Sequence, residues 1–220
     1  MKPEERLSSG AIPIAYEIKT CFGAKGCPNS LNRSFDLIPA LEEVVKNSQL
    51  DEFIKNKLKN QPLRPHHRLK VSVSDCPNGC SQLYIADFGL HGFVKVKWDS
   101  KLCNFCEECV HVCEEEALKR VDQKIRIDRK KCVGCGACIK ACPNGVLKET
   151  FKGYKIYVGG KLGRHPRLAS FLTYALPEEI PVYLEKLLSF YKEYNEKGER
   201  TGTIIEKLGW QKAKKLILTR

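Results

Sequence analysis

The residues with the most chemistry per position in this chain are its twelve cysteines. Cys132, Cys135, Cys138 and Cys142, followed by Pro143, have the C-x2-C-x2-C-x3-C-P spacing by which bacterial proteins hold 4Fe-4S cubes. Three thiolates spaced by two residues can wrap one cube, while a starting helix carries the fourth away to a second. That arrangement requires a second run, and Cys103, Cys106, Cys109 and Cys113 supply it at identical spacing. By the crossing rule one cluster takes Cys103, Cys106, Cys109 and Cys142, and the other takes Cys132, Cys135, Cys138 and Cys113. The first run has Glu114 where the second has Pro143. Zinc favours paired C-x2-C units separated by a longer loop, so a duplicated four-cysteine run points to iron–sulfur chemistry. The last four cysteines are Cys21 and Cys27, spaced C-x5-C, and Cys76 and Cys80, spaced C-x3-C in "DCPNGC". Neither spacing suits a zinc ribbon or a thioredoxin-type pair. Four thiolates from these two loops would enclose a third cube.

The cluster runs occupy about residues 99–150, defined by their own internal repeat. Strand-like alternation precedes them in "FVKVKW" and follows them in "GYKIYVGG". The expected organisation is therefore a discontinuous domain, 1–98 and 151–220, carrying an inserted two-cluster ferredoxin-like domain at 99–150. A further alternating run, "LKVSVS", leads into the Cys76 loop as a strand leaving a sheet would. "DLIPALEEVVKN" places Leu37, Leu41, Val44 and Val45 on one helical face, with Asp36 as the expected cap and Pro39 in the first turn. "PEEIPVYLEKLLSFYKEY" does the same with Ile180, Leu184, Leu187, Leu188 and Tyr191. Strands and helices mixed in this way predict an α+β fold.

Composition narrows the setting. The N-terminal "MKPEERLSSG" has no apolar signal region, and no apolar run approaches the roughly 20 residues of a membrane span. A cytoplasmic protein with no membrane partner is expected, and in a reducing compartment clustered cysteines bind metal rather than form disulfides. The net charge of +12 is spread along the chain with no nucleic-acid-binding motif, so nucleic acid is not an expected partner. Part of that charge can answer polyanions instead.

C-x5-C followed by C-x3-C, within "KVSVSDCPNGCSQLYIADFGLHG" and its Asp87–Gly89 turn, resembles the siroheme-dependent nitrite and sulfite reductases. "YVGGKLGRHPRLA" and "ERTGTIIEKLGW" resemble the C-terminal portion of the same family, and the likeness runs from about residue 18 onward. The inserted ferredoxin is similar to that of the dissimilatory and anaerobic sulfite reductases. The resemblance implies a nitrite/sulfite reductase-type cluster/siroheme half whose Cys80 both ligates the third cube and bridges to siroheme iron, with Gly79 letting the backbone approach the macrocycle. It implies cationic partners for the siroheme carboxylates, with Lys25, Arg33, Lys161, Arg164 and Arg167 as candidates and His165 as a packing or hydrogen-bonding residue rather than an iron ligand. Arg68 and Lys70 resemble in position the pair that holds the oxyanion substrate. The implied reaction is reduction of sulfite to sulfide, with electrons arriving through the ferredoxin clusters from a donor protein or reduced cofactor. Nitrite is the alternative substrate, and a siroheme-free electron-transfer protein the alternative function. About twenty residues precede Cys21, so a homo-oligomer or a second reductase subunit is expected to complete the site.

Overall fold

In the computed structural model, which describes residues 12–59 and 61–220, a five-stranded mixed sheet forms the frame. Its strands are β1 (Tyr16–Thr20), β2 (Leu69–Ser74), β3 (Phe88–Trp98), β6 (Leu147–Val158) and β7 (Ser170–Ala175), adjacent in that order. β1, β2 and β3 run parallel, while β3 pairs antiparallel with β6 and β6 with β7. Period-two alternation divides the side chains between two faces. Val71 and Val73 of β2, Phe88 and Leu90 of β3, and Tyr154, Ile156 and Val158 of β6 enter the main core. Five helices pack against that face: α1 (Ser34–Asn47), α2 (Leu50–Leu58), α5 (Ile180–Tyr194), α6 (Thr201–Leu208) and α7 (Trp210–Leu218). The expected stripes of α1 and α5 are buried in it. Lys70, Ser72, Ser74, His91, Lys155 and Tyr157 fall on the opposite face.

One detail of α1 differs from the sequence reading. The helix starts at Ser34, so Asp36 is its third residue and Pro39 its sixth, beyond the first turn. Arg33 stands at the cap position without a side-chain bond. The capping acceptor is Asp75, whose carboxylate receives the Ser34 amide at 3.0 Å and the Ser34 hydroxyl at 2.9 Å.

The antiparallel pair β3–β6 continues outward until Trp98 faces Leu147. The cysteine repeat hangs from this neck, and Leu147 to Thr150, within the stretch read as the insert, already belong to β6. Beyond the neck lie α3 (Glu108–His111), β4 (Leu118–Val121), β5 (Lys124–Ile127) and α4 (Ala137–Ala141). They enclose a second small core of Val96, Ala117, Leu118, Ile125 and Leu147 together with Cys109 and Cys138. The repeat is visible in the backbone. Phe105, Glu107 and Glu116 have φ of +58°, +63° and +48°, and their counterparts Gly134, Gly136 and Gly145 have +77°, +73° and +59°. The left-handed turns are thus imposed by the ligand loop itself, since the first run adopts them without glycine. Gly134 is also sterically required, because a Cβ there would lie 2.2 Å from the Phe93 ring.

A buried ion pair ties the C-terminal helices to the sheet. The Arg200 Nε donates to both Asp87 oxygens at 3.0 and 2.8 Å, and the amides of Lys70 and Thr201 donate to the same carboxylate at 2.8 and 3.1 Å. Asp87 is 1% exposed and Arg200 13%. Removing the guanidinium leaves a buried carboxylate without its counter-charge. Arg200→Ala is expected to cost about 3–5 kcal/mol of stability, and Arg200→Lys less. Denaturant midpoints measure both.

Candidate metal and cofactor site

The structure sorts the thiols into fours. Cys109 on α3 has Cys142, Cys103 and Cys106 as its thiol neighbours, and burial, with the charges these would carry, pushes its thiol up. Cys138 on α4 has Cys132, Cys135 and Cys113 around it, with Cys109 beyond. Burial first, and those neighbours second, push it up to about 12. Each run therefore meets the last cysteine of the other. In the third group, burial pushes the Cys76 thiol up, and Cys21, Cys80 and Cys27 add to the shift. No disulfide joins any of the twelve. Thiols gathered in this way repel once ionised unless a metal compensates them.

Among the described residues no three His, Cys, Asp or Glu side chains converge tightly enough to hold a single metal ion. An all-thiol set of four is the donor set of a cube, whose four irons each take one thiolate at separate corners. Backbone and side-chain amides already point at several sulfurs: Gly23 and Asp75 donate to Cys21 Sγ at 3.2 and 3.3 Å, Ala117 to Cys113 Sγ at 3.3 Å, and Asn78 Nδ2 to Cys80 Sγ at 2.9 Å. Hydrogen bonds to the sulfurs tune a cluster's potential.

The split group is assembled by two loops leaving the same edge of parallel strands. β1 ends at Thr20 and delivers Cys21, and the Cys21 amide donates to the Val73 carbonyl at 2.9 Å. β2 ends at Ser74 and delivers Asp75 and Cys76. The chain then folds back over β2. Ser72 Oγ donates to the Ser81 carbonyl at 2.6 Å, and the Ser74 and Ser81 hydroxyls are 2.7 Å apart. Cys80 is held exposed one residue before this clasp, and Gly79 has φ of +68°. The serines on the polar face of "LKVSVS" are the sequence signal for this clasp, but alternation alone does not show that they are buried.

The candidate cations divide into two kinds. Lys161 is buried, with its ammonium 2.6 Å from Glu206 and 3.2 Å from the Thr203 hydroxyl. Arg167 donates to the carbonyls of Gly159 and Leu168 and to Ser170 Oγ. Both are engaged inside the chain, and they close a short hairpin by pairing Lys161 with Arg167. That hairpin holds Arg164 and His165 in solvent. It lies beside the Cys80 loop, since the Ala169 amide donates to the Tyr84 carbonyl at 2.7 Å. A hollow of about 320 Å³ there is lined by His66, His67, Arg164, His165 and Lys197, with Glu199 as its one carboxylate. Lys25 and Arg33 are exposed, the latter 3.7 Å from Asp36. Arg68 donates to the Ile14 carbonyl at 3.3 Å, and Lys70 shares its face of β2 with Ser72 and Ser74. Phe22, Leu162 and Leu168 expose 71%, 63% and 69% of their surface around the same loops. An exposed thiol, with exposed cations and bare apolar side chains on its own and neighbouring loops, suits a large macrocycle with an anionic rim.

Behind the loop His91 is buried and pushed down to about 4, so it stays neutral near pH 7. Its Nδ1 faces the Gly92 carbonyl at 3.0 Å and so carries the proton, leaving Nε2 to accept from the Tyr157 hydroxyl at 3.3 Å.

Comparison with known proteins identifies the family and the fold. The family model described as the nitrite and sulphite reductase 4Fe-4S domain matches residues 15–220. The coenzyme F420-dependent sulfite reductase of Methanocaldococcus jannaschii is 32% identical over 208 residues, 94% of this chain and 31% of that protein. One of the anaerobic sulfite reductase subunits of Salmonella typhimurium is 28% identical over 115 residues, 52% of this chain and 29% of that one. The chain thus matches about a third of the length of either relative. The crystal structure of dissimilatory sulfite reductase I superposes with a TM-score of 0.58 at 20% identity, covering 92% of this chain and 52% of that one. The Mycobacterium tuberculosis NirA structure superposes with a TM-score of 0.51 at 15% identity, covering 92% and 27%.

The crossed pairing makes a distinguishable prediction. Anaerobically prepared protein should hold about twelve irons and as many sulfides, four per cube, and Cys142→Ser should leave about eight. A loss confined to the cube of Cys103, Cys106 and Cys109 is the expected electron-resonance result. Loss of the cube of Cys132, Cys135 and Cys138 instead would mean that the runs do not exchange their last ligands.

Proposed function

The chain belongs to the nitrite and sulphite reductase 4Fe-4S family, and from that premise we propose that it is the cluster-bearing half of a siroheme oxidoreductase that reduces sulfite. The observation that carries this reading is the shared anchorage of the metal loops on β3. Gly92 packs so closely on the Asp75 carbonyl that a Cβ would meet it at 2.1 Å, fixing the loop that carries Cys76 and Cys80. Two residues further, the Val94 amide donates to the Gly134 carbonyl at 3.0 Å, fixing the loop that carries Cys132 and Cys135. These anchors are roughly 7 Å apart along the strand. Lys140 adds a bond to the Pro28 carbonyl, next to Cys27, at 3.1 Å. Groups held this close on one rigid ladder suit one-electron relay from the ferredoxin-like insert to the split group.

Cys21, Cys27, Cys76 and Cys80 would hold the third cube, and Cys80 would also reach siroheme iron. Siroheme, when bound, supplies the redox centre at which an oxyanion exchanges electrons and protons. This chain's residues do the rest. Asn78 donates to the Cys80 sulfur, which is held exposed at the surface of the loop. Lys70 and Arg68 supply positive charge for the oxyanion, and Arg164, His165, Lys25 and Arg33 meet the carboxylate rim. Lys161 and Arg167 act one step back, by shaping the hairpin that presents Arg164. The exposed Phe22, Leu162 and Leu168 would be covered by a second copy of the chain or a related subunit, which would close the site against water.

Protein made with siroheme available should show isobacteriochlorin absorption over the iron–sulfur shoulder. Cys80→Ser should abolish sulfite reduction by a chemical reductant while the two ferredoxin-type clusters still titrate. Lys70→Met should raise KM for sulfite at least tenfold, the equivalent of about 1.4 kcal/mol. Absence of siroheme bands after reconstitution, with full iron content, would instead make the chain an electron-transfer protein.

A further inference from the structure

The face of the sheet opposite the main core carries a second feature. Where the insert leans over β3, β6 and β7, a cleft of about 660 Å³ opens, within the roughly 300–1,000 Å³ of small-molecule sites. Phe93, Phe151 and Tyr174 form its wall, with ring centroids 5.1 to 6.4 Å apart. Lys95, Lys155 and Arg129 bring three cations to it, and among the described residues no carboxylate lines it. No ion pair among the described residues uses any of the three. The Lys155 ammonium lies 4.4 Å from the Phe93 centroid and 5.9 Å from that of Tyr174. It is half-buried against these rings. The remaining lining residue with chemistry is Cys132.

An aromatic wall selects a planar ring, and Lys95 and Lys155, with Arg129 beside them donating one bond to the Val96 carbonyl and making no ion pair, select an anionic substituent on it. A thiol that ligates a cube makes electron exchange the purpose of holding such a ring there. Cubes accept one electron at a time, which a hydride donor cannot supply but an isoalloxazine can. We propose that this cleft binds a phosphorylated isoalloxazine of the flavin mononucleotide class, with its phosphate on Lys155, Lys95 and Arg129 and its ring against Tyr174 and Phe151. Oxidation of the reduced ring releases two electrons and two protons. Two successive one-electron reductions at the Cys132 cube take the electrons, and the protons leave through the open mouth. The proposal rests on the assignment of a cube to Cys132 and deepens it by naming the class of donor.

The test titrates oxidised flavin mononucleotide into the anaerobically purified protein and follows quenching of flavin fluorescence, with iron and sulfide measured on the same sample. Saturable one-to-one binding is expected. Riboflavin, which lacks the phosphate, should bind about tenfold or more weakly, and Lys155→Gln should weaken flavin mononucleotide by a similar factor. Lys155→Arg should restore it, which separates lost charge from lost folding, and Tyr174→Leu should reduce affinity for flavin mononucleotide and riboflavin alike. Iron-replete wild-type protein that shows no saturable quenching would overturn the proposal. So would Lys155→Gln binding as tightly as wild type. A sample short of the iron expected for the Cys132 cube would instead overturn the reading on which the proposal rests, and the iron assay reports that outcome separately.

Discussion

The split thiol group depends on one buried residue. Asp75 sits between the end of β2 and Cys76, and each of its polar groups holds a different part of the chain. Its carboxylate receives the Ser34 amide and hydroxyl, which starts α1, and the Tyr154 hydroxyl at 3.1 Å from β6. Its amide donates to Cys21 Sγ, and its carbonyl receives the Leu31 amide at 2.9 Å. Burial and the facing carboxylate push the Tyr154 phenol well above its ordinary value, so it stays a donor at any physiological pH. A buried carboxylate is tolerated only when its lone pairs are met in this way. Meeting them forces the Cys21–Cys27 loop, the Cys76–Cys80 loop and β6 into one arrangement.

The same economy appears in how the insert is placed. β3 is fully buried from Phe88 to Val94 because helices cover one of its faces and the metal loops and aromatic residues meet the other. Gly92 and Gly134 are the points where no side chain can stand between strand and loop. The insert is therefore not a tethered module on a flexible linker. Its neck is a continuation of the main sheet, and its ligand loops lie on the strand that also supports the split group.

Much of this is legible in the sequence, for reasons that are themselves physical. The spacing of the cysteines groups them in fours, and the same groups of thiols are neighbours in the structure. The stripes of α1 and α5 and the alternation of β2, β3 and β6 reflect burial on one face, which period alone reveals. What stays hidden is anything set by a distant partner. Asp75 meets Ser34 and Tyr154 at separations of 41 and 79 residues, so Asp36, the nearer acid, looks like the cap. Lys161 and Arg167 show their charge in the sequence but not Glu206 or the carbonyls that engage them. Ser72 and Ser74 look like a solvent face because the covering Ser81 lies in the loop itself. β1 and α2 are short, and their alternation and apolar stripe are too weak to separate from the surrounding loops.

The central proposal is that Cys80 would serve the third cube and siroheme together. Its most direct test is the Mössbauer spectrum of iron-enriched protein loaded with siroheme, recorded with the cubes oxidised. A shared thiolate couples the paramagnetic haem iron to a cube that is diamagnetic when alone. The account predicts magnetic splitting at the irons of one cube and none at those of the other two. Three cubes that all remain diamagnetic beside an independent haem signal would contradict it.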